Sequence, residues 1–219
     1  MFDLLDAYDK SATLFLNYDG GAWVDGFWYN FSGKFIWIGV YIVILSILFK
    51  ACRPHKEYLK AFALLVVCTA IIIALSDQIS SGLIKHLVER PRPSHNEEIQ
   101  SLVHIVNDYR GGAYGFVSSH AANSVGLAVW LSLLFNSSIL RSTLFGWTVA
   151  TCYSRIYLGV HYLGDIIGGL AVGIICALFV HYVYKRIAEH NNLVMPEHKK
   201  EPWQIPAAFF ATIILIVFL

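Results

Sequence analysis

The chain has 219 residues, of which 57% are hydrophobic, and a mean hydropathy of +0.57; this excludes an ordinary water-soluble domain. The formal net charge is +1, and no basic tract points to nucleic acid. Cys52, Cys68, Cys152 and Cys176 lack metal-type spacing and read as small buried hydrophobes rather than a disulfide framework.

Residues 2–18 set Phe2, Leu4, Leu5, Tyr8, Ala12, Phe15 and Leu16 against Asp3, Asp6, Asp9 and Lys10. That spacing predicts an amphipathic helix lying in the membrane interface. The acidic start, with no basic region before an apolar run, argues against a cleaved signal peptide. Asp19-Gly20-Gly21 ends the helix, and Trp23, Phe27, Trp28, Tyr29 and Phe31 form an aromatic interfacial belt. Apolar runs suited to crossing a bilayer follow at about 35–49, 61–83, 117–135, 140–158, 163–184 and 205–219. A polar segment, 85–115, separates the second and third, and a polar linker, 185–204, precedes the last. The expected architecture is all-α and polytopic: one domain over 1–219, with an interfacial segment over 1–34 and a six-helix transmembrane bundle over 35–219.

Basic residues set the expected orientation. Lys50, Arg53, Lys56, Lys60, Arg141, Lys185, Arg186, Lys199 and Lys200 fall on one side, which reads as cytoplasmic. Lys10, Lys34, Lys85, Arg90, Arg92, Arg110 and Arg155 fall on the other, among carboxylates and motifs. Both termini and the polar clusters then face outward.

Three such clusters share that outer side. Lys85-His86-Leu87-Val88-Glu89-Arg90-Pro91-Arg92-Pro93 closes the second run; Lys85 and Arg92 are seven apart, and the prolines end the helix. Arg90 reads as structural or solvent-facing. Tyr114-Gly115-Phe116-Val117-Ser118-Ser119-His120 opens the third run. A helix start there offers unpaired N–H groups to an anion, and Ser118 and Ser119 suit a cap. His120, in the first turn, is placed to give a proton to a leaving oxygen. In the third cluster, Ser154 to Asp165, His161 and Asp165 are four apart, so the carboxylate can orient the imidazole. Arg155 supplies a planar donor fork. Taken singly, each cluster reads as well as a membrane-edge segment with snorkelling cations and a capped helix.

Together and in this order they resemble the type 2 phosphatidic acid phosphatase (PAP2) family, whose motifs are K-x6-R-P, P-S-G-H and S-R-x5-H-x3-D. The first and third are complete here. In the second, Val117 and Ser119 replace the proline and glycine, while Ser118 and His120 match. The resemblance covers about residues 35–185 and implies a phosphohydrolase that works through a phosphohistidine, with no metal and no cofactor. By position, His161 would be the nucleophile, Asp165 its orienting carboxylate and His120 the acid and then the base. Lys85, Arg92, Ser118, Ser119 and Arg155 would hold the phosphoryl oxygens.

Glu89, Glu97, Glu98 and Asp108 lack the tight spacing of a metal site, and His86, His95 and His104 fit no ligand pattern. Asp77, a carboxylate in an apolar run, calls for a partner, with Lys85 a candidate. The expected partners are the membrane and a lipid phosphate substrate. Among the family's outward-facing substrates, undecaprenyl diphosphate is favoured over lipid A, phosphatidylglycerol phosphate and phosphatidic acid. That choice implies a bacterial inner-membrane enzyme with its site on the periplasmic face. The competing class is a phosphate-lipid binding or transport protein, which would not need the paired His161 and Asp165 with His120.

Overall fold

The computed structural model describes residues 2–193 and 202–219, with side chains from Leu4 onward. Lys199 and Lys200, two of the residues assigned to the cytoplasmic side, lie outside the described residues. Among the described residues the regular secondary structure is all helical, with one isolated bridge, Pro91 to Tyr114, in the largely irregular segment between Val88 and Ser119. Helix α1 (Phe2–Leu16) precedes α2 (Ala22–Phe31), and a 3-10 turn, Phe35–Trp37, leads into α3 (Ile38–Cys52). Helix α4 (Tyr58–Asp77) runs on through a π-helical stretch, Gln78–Ile84, into the short α5 (Lys85–Val88). Then come α6 (Ser119–Leu134), α7 (Ser138–Tyr157), α8 (Leu163–His190) and α9 (Gln204–Val217).

Each expected crossing coincides with a helix. Phe35–Cys52, Tyr58–Val88 and Leu163–His190 are individually long and apolar enough to cross a bilayer, and Gln204–Val217 is a shorter apolar helix. Large apolar side chains on their outer surfaces, among them Ile42, Val67, Ile175, Phe179 and Ile214, are exposed, as lipid-facing residues must be. The chain is an integral membrane protein.

Helix α6 is buried nearly all round, so it sits at the centre of the bundle. Small residues let α8 come close to it: a Cβ added at Gly169 would lie 2.3 Å from the Ser118 carbonyl oxygen, and one at Gly173 2.1 Å from that of Ala122. Gly169 and Gly173 are four apart and therefore form one flat stripe on α8, the close-approach pattern of membrane helices. Trp130 of α6 donates to Thr69 Oγ1 of α4 at 2.9 Å, which meets its indole N–H inside the bundle.

Three expectations need correction. The aromatic belt is itself a helix, α2, whose Trp28 packs on Tyr153 and Tyr157 of α7. Helix α8 continues through the expected start of the polar linker to His190. Helix α1 does more than float in the interface. Its Asp9, Thr13 and Asn17, at i, i+4 and i+8, form a polar stripe that docks on the protein, while Leu4, Leu5, Tyr8 and Phe15 stay exposed. Asp9 accepts from the Gly164 N–H at 2.8 Å and Thr13 from the Leu163 N–H at 3.3 Å, so α1 satisfies two first-turn donors of α8. Buried Asn17 donates to the Tyr157 carbonyl at 2.6 Å and the His104 carbonyl at 3.1 Å, and accepts from the His104 N–H at 2.7 Å. That one side chain ties the end of α1 to the end of α7 and to the 94–116 segment.

Candidate active site

Helix α7 ends at Tyr157, and Gly159, with φ +66, turns the chain back towards α8. A side chain there would need a left-handed backbone and would meet Val103 Cγ1 at 2.4 Å, so glycine is required twice over. The turn delivers His161 just before α8, with 1% of its surface exposed. Asp165, in the first turn of α8 and fully buried, uses both carboxylate oxygens. Oδ2 accepts from the Tyr162 N–H at 3.0 Å and lies 3.2 Å from His161 Nδ1. Oδ1 accepts from Arg90 Nη1 at 3.1 Å. With Nδ1–H donated to Asp165, the lone pair of the imidazole sits on Nε2.

Nε2 faces cations. Arg92 Nη1 lies 3.3 Å from it and also donates to the Val160 carbonyl at 3.0 Å, while Nε donates to the Tyr114 carbonyl at 3.0 Å. Arg92 arrives on an extended segment pinned by its N–H to the Ala113 carbonyl at 3.1 Å. Lys85 instead lies on α5, so the two reach the site from different elements and not from one helix face. Burial first, then the charges of Arg92, Arg155 and Lys85, hold the His161 imidazole well below its ordinary range. The neutral imidazole is therefore favoured.

Arg155, on the last turn of α7 and 2% exposed, donates to Ser32 Oγ and, at 2.9 Å, to the Tyr109 hydroxyl. Its Nε is buried without a partner among the described residues. Burial pushes the Tyr109 phenol up, but the charge and hydrogen bond of Arg155, with the charge of Arg92, outweigh it and the net direction is down. Lys85 has Ser81 Oγ at 3.5 Å and no ion pair with Asp77, the partner suggested by their spacing. No ion pair among the described residues involves Lys85, Arg92 or Arg155.

Ser118 caps α6, its Oγ accepting from the Ala121 N–H at 3.4 Å, and its own N–H is bound to the Asp165 carbonyl at 2.9 Å. The N–H groups of Ser119 and His120, in the first turn, have no intrahelical acceptor. His120 and Ser119 line a cavity of about 630 Å³ bounded by the 32–34 turn and by α3, α4, α6 and α7. The glycine at 115 is held by the site itself: a Cβ there would lie 2.6 Å from Asp165 Oδ2.

Arg90 was expected to be structural or solvent-facing, and it is structural. It donates to Asp165, to Asp9 at 2.8 Å and to Asp6 at 2.9 Å, and its guanidinium lies 3.9 Å from the Tyr162 ring centroid. Sequence spacing missed Arg90, Ser32 and Tyr109 as neighbours of the site, because their partners lie far away in the chain. His104 pairs with Asp25 at 2.9 Å and His95 with Ser94 at 3.1 Å. Asp19, Asp25 and His104 bring ligand atoms within 4.8 Å of one another. One oxygen of each carboxylate is already engaged, Asp19 Oδ1 by the Gly21 N–H and Asp25 Oδ1 by the Tyr157 hydroxyl and His104, which makes this a hydrogen-bonded corner.

Comparisons with known proteins agree on one family. The PAP2 superfamily model matches residues 61–189. A lipid A 4'-phosphatase from Bacteroides thetaiotaomicron is 40% identical over 174 residues, 79% of this chain and 75% of that protein. Another from Porphyromonas gingivalis is 40% identical over 162 residues, 74% of this chain and 66% of that protein. Among solved structures, a transmembrane PAP2-type phosphatidylglycerolphosphate phosphatase from Bacillus subtilis has a TM-score of 0.60 at 16% identity, covering 84% of this chain and 88% of that one. LpxE from Aquifex aeolicus has a TM-score of 0.56 at 23% identity, covering 78% and 93%.

Proposed function

The chain belongs to the PAP2 superfamily and is a phosphatase, and from that premise we propose that it removes the 4'-phosphate of lipid A through a phosphohistidine. Undecaprenyl diphosphate, favoured from the sequence, gives way because both bacterial relatives at 40% identity are lipid A 4'-phosphatases.

The observation that supports the chemistry is a set of three partly or wholly buried cations, without a carboxylate partner among the described residues, whose charges all act on a carboxylate-oriented histidine, with Arg92 3.3 Å from its Nε2. Buried charge without a counterion is costly, so the arrangement is built for an anion supplied from outside. His161 Nε2 attacks phosphorus, and the bond from phosphorus to the sugar oxygen breaks. His120 gives that oxygen its proton. A water then attacks the phosphohistidine and loses its proton to His120; the N–P bond breaks and phosphate leaves. Arg92, Arg155 and Lys85, with Ser118 and the N–H groups of Ser119 and His120, neutralise the equatorial oxygens throughout. Asp165 holds the tautomer that keeps Nε2 free.

In this reading all six helices α3, α4, α6, α7, α8 and α9 cross the bacterial inner membrane, and the site opens to the periplasm. The excess of basic residues in the opposite loops supports that orientation. Cysteine placed at Glu98 should react with an impermeant reagent in intact cells, and cysteine at His55 should not; the reverse pattern would invert the topology. For activity, phosphate release from purified lipid A, phosphatidic acid and undecaprenyl diphosphate is compared with and without chelator. Chelator-resistant release, fastest from lipid A, is expected; loss in chelator restored by Mg²⁺ would refute the mechanism.

A further inference from the structure

The cavity beside His120 has two characters. Part of its lining is apolar, with Ala70, Ile73, Leu127 and Trp147. The rest is polar, with Lys34, Asp77, Asn123 and Ser124 beside Ser119 and His120. Asp77 and Lys34 form no hydrogen bond or ion pair among the described residues, and Asn123 Oδ1 is buried with no partner. In a bilayer such groups are costly to leave unmet, and so mark a place where something polar binds.

The chemistry of the site says what enters. In an in-line displacement the leaving oxygen departs opposite the attacking nitrogen. On the reading above, His161 attacks and His120 protonates, so the leaving alcohol lies on the His120 side, where this cavity is. The volume, about 630 Å³, suits a sugar-sized group with the start of an acyl chain. Lys34 is a donor and suits a phosphate oxygen, while the other two unmet groups are acceptors: the carboxylate of Asp77 and the carbonyl oxygen of Asn123. They call for a ligand with O–H or N–H donors. A polyprenyl chain or a diacylglycerol body has none to offer beyond the leaving oxygen and would only desolvate the two acceptors. An acylated amino sugar offers amide N–H and hydroxyl groups.

We propose that Asp77 and Asn123 are specificity residues that receive the leaving amino sugar in this cavity, selecting a phosphorylated glycolipid over a phosphorylated prenol or diacylglycerol. The proposal rests on the assignment of His120 to the leaving-group side.

The experiment measures kcat/KM of the purified full-length protein for lipid A and for phosphatidic acid. It is run on wild type, Asn123→Leu, Asp77→Leu and the conservative Asp77→Asn. Asn123→Leu and Asp77→Leu should each lower the ratio of lipid A to phosphatidic acid turnover about tenfold, the effect of losing one hydrogen bond to a buried group. Asp77→Asn, which keeps an acceptor, should restore most of it. Vanadate inhibition of the remaining phosphatidic acid hydrolysis verifies in each variant that the phosphate pocket is folded. An unchanged ratio, or an equal loss on both lipids, overturns the sugar assignment while phosphohistidine formation still supports the catalytic reading. Full lipid turnover by His120→Ala overturns both.

Discussion

The two arginines of the Arg90-Pro91-Arg92 segment are two residues apart and end in opposite electrostatic surroundings. Arg90 lies on the Asp165 side of the His161–Asp165 pair, the rear, and meets three carboxylates, Asp6, Asp9 and Asp165. Arg92 lies on the Nε2 side, the front, and meets only carbonyl oxygens and His161, and among the described residues neither Lys85 nor Arg155 has an ion-pair partner. The rear of the site is charge-satisfied by the protein; the front is left for a ligand to satisfy. Charge that is already paired gives rigidity, whereas charge held unpaired gives affinity for a dianion and for the charge that grows in its transition state.

The largest expected effect removes the atom between the two regions. His161→Ala should abolish lipid turnover, by about 10⁴-fold or more, and leave no acid-labile phosphoenzyme. Residual label on that variant would move the nucleophile elsewhere.

Breaking the front comes next. Arg155→Lys keeps a charge but not the fork, and should cost about 10²–10³ in kcat/KM and weaken vanadate inhibition in step. Equal inhibition by vanadate in variant and wild type would show that Arg155 does not face the phosphoryl group.

Breaking the rear should be milder and different in kind. Arg90→Leu leaves Asp6, Asp9 and Asp165 without their shared cation. It should lower kcat about tenfold with little change in KM, and destabilise the fold by about 1–3 kcal/mol, since the guanidinium is partly exposed. Neutralising the excess carboxylate with Asp9→Asn in the same chain should recover part of the thermal stability. A variant that loses affinity for vanadate instead would place Arg90 in front.

The smallest effect is a shift in pH dependence. His161 is held below its ordinary value by burial and then by Arg92, Arg155 and Lys85. Removing a positive neighbour favours the imidazolium, so Arg92→Gln should move the acid limb of kcat/KM upward, towards the ordinary histidine value near 6.5. Because both enzymes act on the same lipid, ionisation of the substrate cancels from the comparison. The depressed folded-state value also means that the contribution of His161 to stability is complete above about 6.5 and is lost as pH falls below it. An acid limb that stays in place, or moves down, would contradict the cationic front.

The front of the site was legible in the sequence and the rear was not. Lys85, Arg92, His120, Arg155, His161 and Asp165 stand in three short clusters whose order resembles the PAP2 motifs, and helix length follows from apolar runs. Arg90 has its fate decided by Asp6 and Asp9, more than 80 residues away, and no local pattern reports that distance. One signal was available: Asp9, Thr13 and Asn17 fall at i, i+4 and i+8, a polar stripe as consistent with docking on protein as with facing water. Helix α2 was hidden because its aromatic residues read equally well as an interfacial belt. Tyr109 reaches Arg155 from a segment without periodicity, where sequence reasoning has nothing to count.

The proposed mechanism turns on which histidine carries the phosphoryl group. The direct measurement is an acid quench of the purified protein with a ³²P-labelled activated aryl phosphate, with the label mapped by peptide mass in wild type, His120→Ala and His161→Ala. With a good leaving group the proton from His120 matters less, while hydrolysis of the intermediate still needs it. His120→Ala should therefore accumulate label on His161, and His161→Ala should carry none. Label on His161→Ala together with none on His120→Ala would contradict the account and exchange the roles of the two sides.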